Sequence, residues 1–249
     1  MLFRVVLILF SSAFFLLSSF RVYAQTQNHF SGWAALFGSF KLNNKFSIHF
    51  DGQVRSSDKW QEVQTVLIRP GLHYQVKKNQ LATVGYAYVG HHRRIADVSG
   101  WGPEHRIWEQ YIINQRFPVL ERSSSFQHRF RLEQRFISKS VVSNNKLETD
   151  GHAFAQRLRY FARWVVPLKK TANFKQGTFV SLQDEVFVNI GDASGVNGKF
   201  FDQNRAYGSF GYRFSPKADL EVGYMNQFVA GRANNTSNNI LQLAGYLRL

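Results

Sequence analysis

Arginine and glutamate placed two residues apart supply the chemistry in this sequence. In FQHRFRLEQRFI, residues 126–137, Arg129, Arg131, Glu133 and Arg135 alternate with Phe130, Leu132 and Phe136. In AQRLRYFARW, residues 155–164, Arg157, Arg159 and Arg163 repeat the pattern, and Glu185 and Arg205 hold equivalent places further on. A guanidinium binds carboxylate or phosphate through two parallel N–H bonds. Rings of arginine in an aqueous passage favour anions. The candidate anion-binding residues are therefore Arg129, Arg131, Arg135, Arg157, Arg159, Arg163 and Arg205. Glu133 and Glu185 are the carboxylates that orient them.

Other chemistry is less well served. Ser138, Ser140 and His152 flank one segment, and Ser99 lies near His91 and His92. A lipid-modifying hydrolase needs a nucleophile and a base at the rim, but no Gly-x-Ser-x-Gly spacing is present. Adjacent histidines on a strand point to opposite faces, and no second cluster supplies partners, so neither a metal nor a cofactor is expected. The run His91-His92-Arg93-Arg94 is expected to begin an outward loop as a basic rim.

The elements that must position these groups are strands. Successive side chains on a strand point to opposite faces, so 126–137 has one apolar face and one charged face. The same alternation runs through 46–55, 63–75, 81–91, 154–166, 178–190 and 203–214. It is imperfect over 104–117; 33–42, 220–228 and 239–249 also read as strands, and Pro70 interrupts 63–75. Expected loops cover 92–103, 138–152, 191–201 and 229–238; shorter connections cover 76–80, 118–125, 168–176 and 215–219. Long and short connections alternate, aromatics sit near strand ends, and the strands are long enough to cross a bilayer when tilted. A periplasmic sandwich would share the alternation, but its strands are mostly five or six residues long. The expected fold is all-β, an antiparallel transmembrane β-barrel of 10–12 strands, with an even count preferred.

The chain has 249 residues, no Cys and a formal net charge of +15. It opens MLFRVVLILFSSAFFLLSSFRVYAQ, with Arg4, an apolar run and small residues before Gln25. Residues 1–24 thus read as a cleaved signal peptide, and 25–249 as the outer-membrane barrel domain. Losing Arg4 and Arg21 lowers the charge by two, to +13. That balance favours anionic partners, namely outer-membrane lipid, lipopolysaccharide and small anionic solutes. Export disfavours nucleic acid. The apolar final strand is the feature the barrel-assembly machinery is expected to read.

Antiparallel pairing across the expected loops places Glu133 opposite Arg159, Arg135 opposite Arg157 and Arg129 opposite Arg163. It continues as a lumenal row Gln110, Glu133, Arg159, Glu185 and Arg205 or Tyr207. Glu109 and Asp184 fall on the apolar face, where a bulge turning them inward, or a subunit contact, would relieve them.

Trp33 to Leu42-Asn43, Arg55, the run Glu104-His105-Arg106-Ile107-Trp108-Glu109-Gln110, the run His128-Arg129-Phe130-Arg131-Leu132-Glu133-Gln134-Arg135-Phe136, and Asn204-Arg205 together resemble the domain-of-unknown-function 2490 family. The resemblance covers nearly all of 25–249. It implies an exported, outer-membrane barrel protein of Gram-negative bacteria, and it carries no activity or ligand with it. The expected function is a porin-like passive channel or binder for small anionic solutes through an Arg-rich lumen. The alternatives are a non-conducting structural or surface-interaction barrel and a lipid-modifying hydrolase.

Overall fold

Alternation of apolar and polar side chains is realised as one closed sheet. The computed structural model describes Thr26–Leu249; the expected signal peptide, 1–24, lies outside the described residues. The strands are β1 (Thr26–Lys41), β2 (Phe46–Ser56), β3 (Val63–Ile68), β4 (Gly71–Lys77), β5 (Gln80–Ile95), β6 (Val98–Val119), β7 (Arg122–Ser143), β8 (Lys146–Pro167), β9 (Gly177–Ile190), β10 (Phe201–Ser215), β11 (Ala218–Val229) and β12 (Asn235–Arg248). β3 and β4 are halves of one stave, since both pair with β2 and with β5. Pro70, which has no N–H to give the ladder, separates them. The ladder survives beside it, because Arg69 and Asp51 exchange both backbone hydrogen bonds at 2.8 and 3.1 Å.

The barrel therefore has 11 strands rather than 10 or 12. An odd count of up-and-down strands leaves the first and last running the same way. The closing pair β1–β12 is parallel, from Thr26↔Asn235 to Ser39↔Arg248, and every other pair is antiparallel. Thr26 and Leu249 consequently lie at opposite rims, here called the N-terminal and C-terminal rims. The polar stretch Thr26–Gly32 is held as strand because β12 begins early enough to pair with it.

Three expected connections, 92–103, 118–125 and 138–152, are mostly strand. They close in the two-residue turns Ala96–Asp97, Leu120–Glu121 and Asn144–Asn145. Positive φ at both Leu120 and Glu121 (47° and 63°) and at both Asn144 and Asn145 (49° and 58°) gives the turns whose twist matches a hairpin. Asn adopts this conformation readily; Leu and Glu do so against their preference. The 22-residue strands β6, β7 and β8 are about 70 Å long at about 3.3 Å per residue. That exceeds the apolar band of about 25 Å typical of membrane barrels, and the β7–β8 hairpin runs past the end of β9, whose ladder with β8 stops at Gln156↔Ile190.

The outward face is apolar and bare: Leu182 is 60% exposed, Leu243 51% and Phe210 51%. The inward face is polar and buried: Glu133 is 0% exposed, Arg131 1% and Glu221 1%. A barrel folded in water has the reverse arrangement. Hydrocarbon tolerates a closed barrel of this kind because no backbone edge is left unpaired.

Candidate anion site in the barrel interior

Each of the seven arginines and both glutamates named from the sequence points into the barrel, and Arg129, Arg135, Arg157, Arg159, Glu133 and Glu185 meet within one network. Glu133 on β7 receives Arg157 Nη2 at 2.6 Å and Arg159 Nη1 at 2.5 Å. Arg159 bridges onward, its Nη2 donating to Glu185 Oε1 at 2.7 Å. Glu185 also accepts from Arg129 Nη2 at 2.8 Å. Arg157 Nη1 reaches Asp202 on β10 at 2.7 Å. On the other flank Arg106 and Arg135 both donate to Glu104 Oε1, at 2.7 and 2.6 Å, and Arg106 lies 3.8 Å from Glu133. The chain of ion pairs thus runs unbroken across β6 to β10. Such pairs are favourable when buried only if each charge keeps several hydrogen bonds, and this network provides them.

The contacts are right for Arg159 although the register is not the expected one. Across β7–β8 Glu133 faces Arg157, Arg131 faces Arg159, Arg129 faces Phe161 and Arg135 faces Ala155. Gln110 faces Arg131, not Glu133. Across β8–β9 Arg159 faces Phe187. The slip is two residues in each case, which preserves the face and changes the neighbour. The long Arg159 side chain spans the difference and touches both carboxylates. Arg205 does face Glu185. Like charges still oppose one another, but at Arg131↔Arg159 and Arg106↔Arg135.

Stacking on aromatic rings fixes the guanidinium planes. Phe187 lies under three of them, Arg157 at 5.0 Å, Arg159 at 4.5 Å and Arg205 at 4.7 Å from its ring centre. Arg129 covers Phe161 at 4.1 Å. Arg163 stands apart from the central network: it binds Glu221 Oε2 at 2.6 Å and lies over Tyr246 at 4.8 Å.

Among the described residues, the inward arginines Arg131, Arg55 and Arg205 have no carboxylate within ion-pair distance. Arg131 gives Nε and Nη2 to Gln110 Oε1. Arg55 gives Nε and Nη2 to Gln53 Oε1, and Arg205 gives Nη2 to Gln203 Oε1. Arg55 on β2, the ladder partner of Trp33, and Arg205 on β10, three staves further round, converge on one indole. Their guanidinium carbons lie 3.9 and 5.1 Å from the Trp33 ring centre. Both stay partly solvent-accessible and both sit toward the N-terminal rim. Asp51, Arg69 and Asp202 were not named as site residues from the sequence, and Arg55 and Arg106 entered only through the family resemblance, although strand alternation already put Asp51, Arg55, Arg69 and Arg106 on polar faces.

The interior leaves little room for a water column. Every stave contributes buried inward residues, among them Ser31 and Trp33 on β1, Asp51 on β2, Thr83 on β5, Phe187 on β9 and Gln242 on β12. An open pore would leave such a wall wet.

Glu109 and Asp184 remain on the outer face, and neither is turned in by a bulge. Each is met by an amide instead: Gln134 donates to Glu109 at 3.2 Å, and Asn204 donates to both oxygens of Asp184 at 3.1 Å. The histidine–arginine run is strand, not loop. His91 turns inward to Glu104, Arg93 holds the Ser138 carbonyl and Ser140 Oγ, and only Arg94 is exposed. Ser138 faces His152 in the ladder, but its buried Oγ has no hydrogen-bond partner. No group of three metal-ligating side chains occurs among the described residues.

A closed β-barrel with an apolar coat and an ion-paired, arginine-rich interior is the class that fold and site define. The chain belongs to the family described as "Protein of unknown function (DUF2490)", whose model matches residues 30–238. It is similar to an uncharacterized protein of Methylorubrum extorquens, 25% identical over 198 residues that cover 79% of this chain and 78% of that one.

Proposed function

We propose that the protein sits in the cell outer membrane as a closed barrel that binds small anionic solutes at its N-terminal rim, without catalysing their conversion. The exposed apolar band and the polar interior support a lipid surround. Lipid and lipopolysaccharide are then its immediate neighbours. The filled interior favours a binder over an open passive channel.

The observation that carries this reading is the pair Arg55 and Arg205. Two guanidiniums with only amide partners converge over Trp33 while keeping contact with solvent. A carboxylate or phosphate entering from the rim would meet two forked donors and displace no acid.

Reconstitution tests it directly. Calorimetry with inorganic phosphate or a dicarboxylate should show saturable binding that the double variant Arg55→Gln, Arg205→Gln weakens by ~10-fold or more, equal to about 1.4 kcal/mol. Planar bilayers should show no stepwise conductance. Regular cation-preferring steps, or anion binding indifferent to the double variant, would overturn the proposal.

Surface interaction is the second reading, favoured by the projecting β7–β8 hairpin with Val141 and Val142 exposed at its tip. Deleting 140–149 should then remove surface binding and spare anion binding.

A further inference from the structure

Arg131 lies deeper than the rim pair, toward the C-terminal side of the barrel, and belongs to a different constellation. Its guanidinium stands over the Trp108 indole, 4.5 Å from the ring centre. The His49 ring meets the same indole edge-on at 5.5 Å, and His73 packs on His49 at 4.9 Å. Arg131 and Trp108 are 1% and 0% exposed.

The hydrogen bonds here run in one direction and then stop. Gln110 accepts Arg131 through Oε1, so its Nε2 is the donor to Thr83 Oγ1 at 3.2 Å. Thr83 then has its own proton to give to His73 Nδ1 at 2.6 Å. That chain uses Nε and Nη2 of Arg131 and leaves Nη1 over. Nη1 of Arg131, Nε1 of Trp108 and Nε2 of His49 are all buried and have no hydrogen-bond partner in the protein. Buried N–H groups are rarely left so, because each forfeits its hydration without return. Two obligate N–H donors, with a third offered by His49 in its Nε2–H tautomer, gathered around one ring are a constellation, not an isolated defect.

We infer that these groups form a buried binding site for a single halide ion, chloride under ordinary conditions. Arg131 has no carboxylate partner, so one positive charge is uncompensated, and a monovalent anion cancels it. The available groups are N–H donors spread around aromatic rings, which suits a spherical acceptor. A phosphate would bring more charge than Arg131 offsets and oxygens for which no further donors remain. The site is independent of Arg55 and Arg205: it would exist in a barrel with no solute-binding role.

The test uses the refolded full barrel in detergent. Its unfolding midpoint should rise with chloride or bromide over gluconate at equal ionic strength, and the rise should saturate. Bromide-soaked crystals should show an anomalous peak within hydrogen-bond distance of Arg131 Nη1. Trp108→Phe keeps the ring and removes the N–H; it should weaken the apparent halide affinity by ~10-fold. Arg131→Gln should abolish the response, and Arg55→Gln with Arg205→Gln should leave it intact. If Arg131→Gln fails to fold, Trp108→Phe and the anomalous map decide alone. A midpoint that follows ionic strength only, a map without a peak, or a Trp108→Phe protein as halide-responsive as the wild type would overturn the inference.

Discussion

Trp108 lies flat against Gly85, its partner across the β5–β6 ladder. A Cβ on Gly85 would stand 2.3 Å from Cζ2 of the indole, and one on Gly71 would stand 2.8 Å from Cη2. Two glycines on neighbouring staves thus make the recess into which the largest buried side chain folds. Gly85→Ala should destabilise the barrel by about 1–3 kcal/mol, the usual effect of overpacking, read as a lowered urea midpoint. Adding Trp108→Leu should recover part of the loss, and strict additivity of the two changes would refute the contact's importance.

Glu133 holds two buried arginines at once. Glu133→Gln keeps the shape and removes the charge, leaving Arg157 and Arg159 under-compensated. A loss of about 3–5 kcal/mol in unfolding free energy is expected, as for other broken buried pairs. The exposed pair Lys170–Glu121 makes the control, with side chains 65% and 74% accessible; Glu121→Gln should change stability by less than about 1 kcal/mol. Equal effects at the two sites would contradict the burial assigned to Glu133.

The side chains of Arg159 and Glu133 occupy the middle of the barrel. Replacing both with Ser removes the pair; Arg157 then loses Glu133 but keeps Asp202, and Glu185 keeps Arg129. Bilayers containing this double variant should show conductance steps absent from the wild type. A variant as silent as the parent would mean that other walls keep the interior shut.

Orientation is also testable. An epitope in loop 230–234 and one in the turn at Pro216–Lys217 lie at opposite rims. In intact cells one, and only one, should be reached by antibody, and the longer connections at the N-terminal rim make 230–234 the expected one. Labelling of both or neither would refute a spanning barrel in this arrangement.

Much of this architecture was legible in the residues. Alternation alone assigned Arg129, Arg131, Arg135, Arg157, Arg159, Arg163 and Arg205 to the polar face, because a period of two admits no other grouping. Register was not legible, because it depends on turns. Ser143↔Lys146 at the Asn144–Asn145 turn fixes the β7–β8 pairing, and the bulge between Ser138 and Ser140 then shifts it by one. Nothing in a polar stretch rich in Ser, Asn and Thr announces that bulge. The parallel closure was equally hidden, since β1 and β12 lie at opposite ends of the chain. The amides that relieve Glu109 and Asp184 come from neighbouring strands, so they too became visible only once the register was known.

The odd number of staves bears on how the molecule reaches its final topology. Consecutive hairpins can cross a bilayer in couples, each turn being drawn through once. Eleven crossings make five couples and a remainder. In a barrel that spans a membrane, couples counted back from β12 leave β1 over, and its leading residues Thr26, Gln27, Asn28 and His29 would cross without a hairpin mate. The seam that closes such a barrel is the parallel one between its first and last strands.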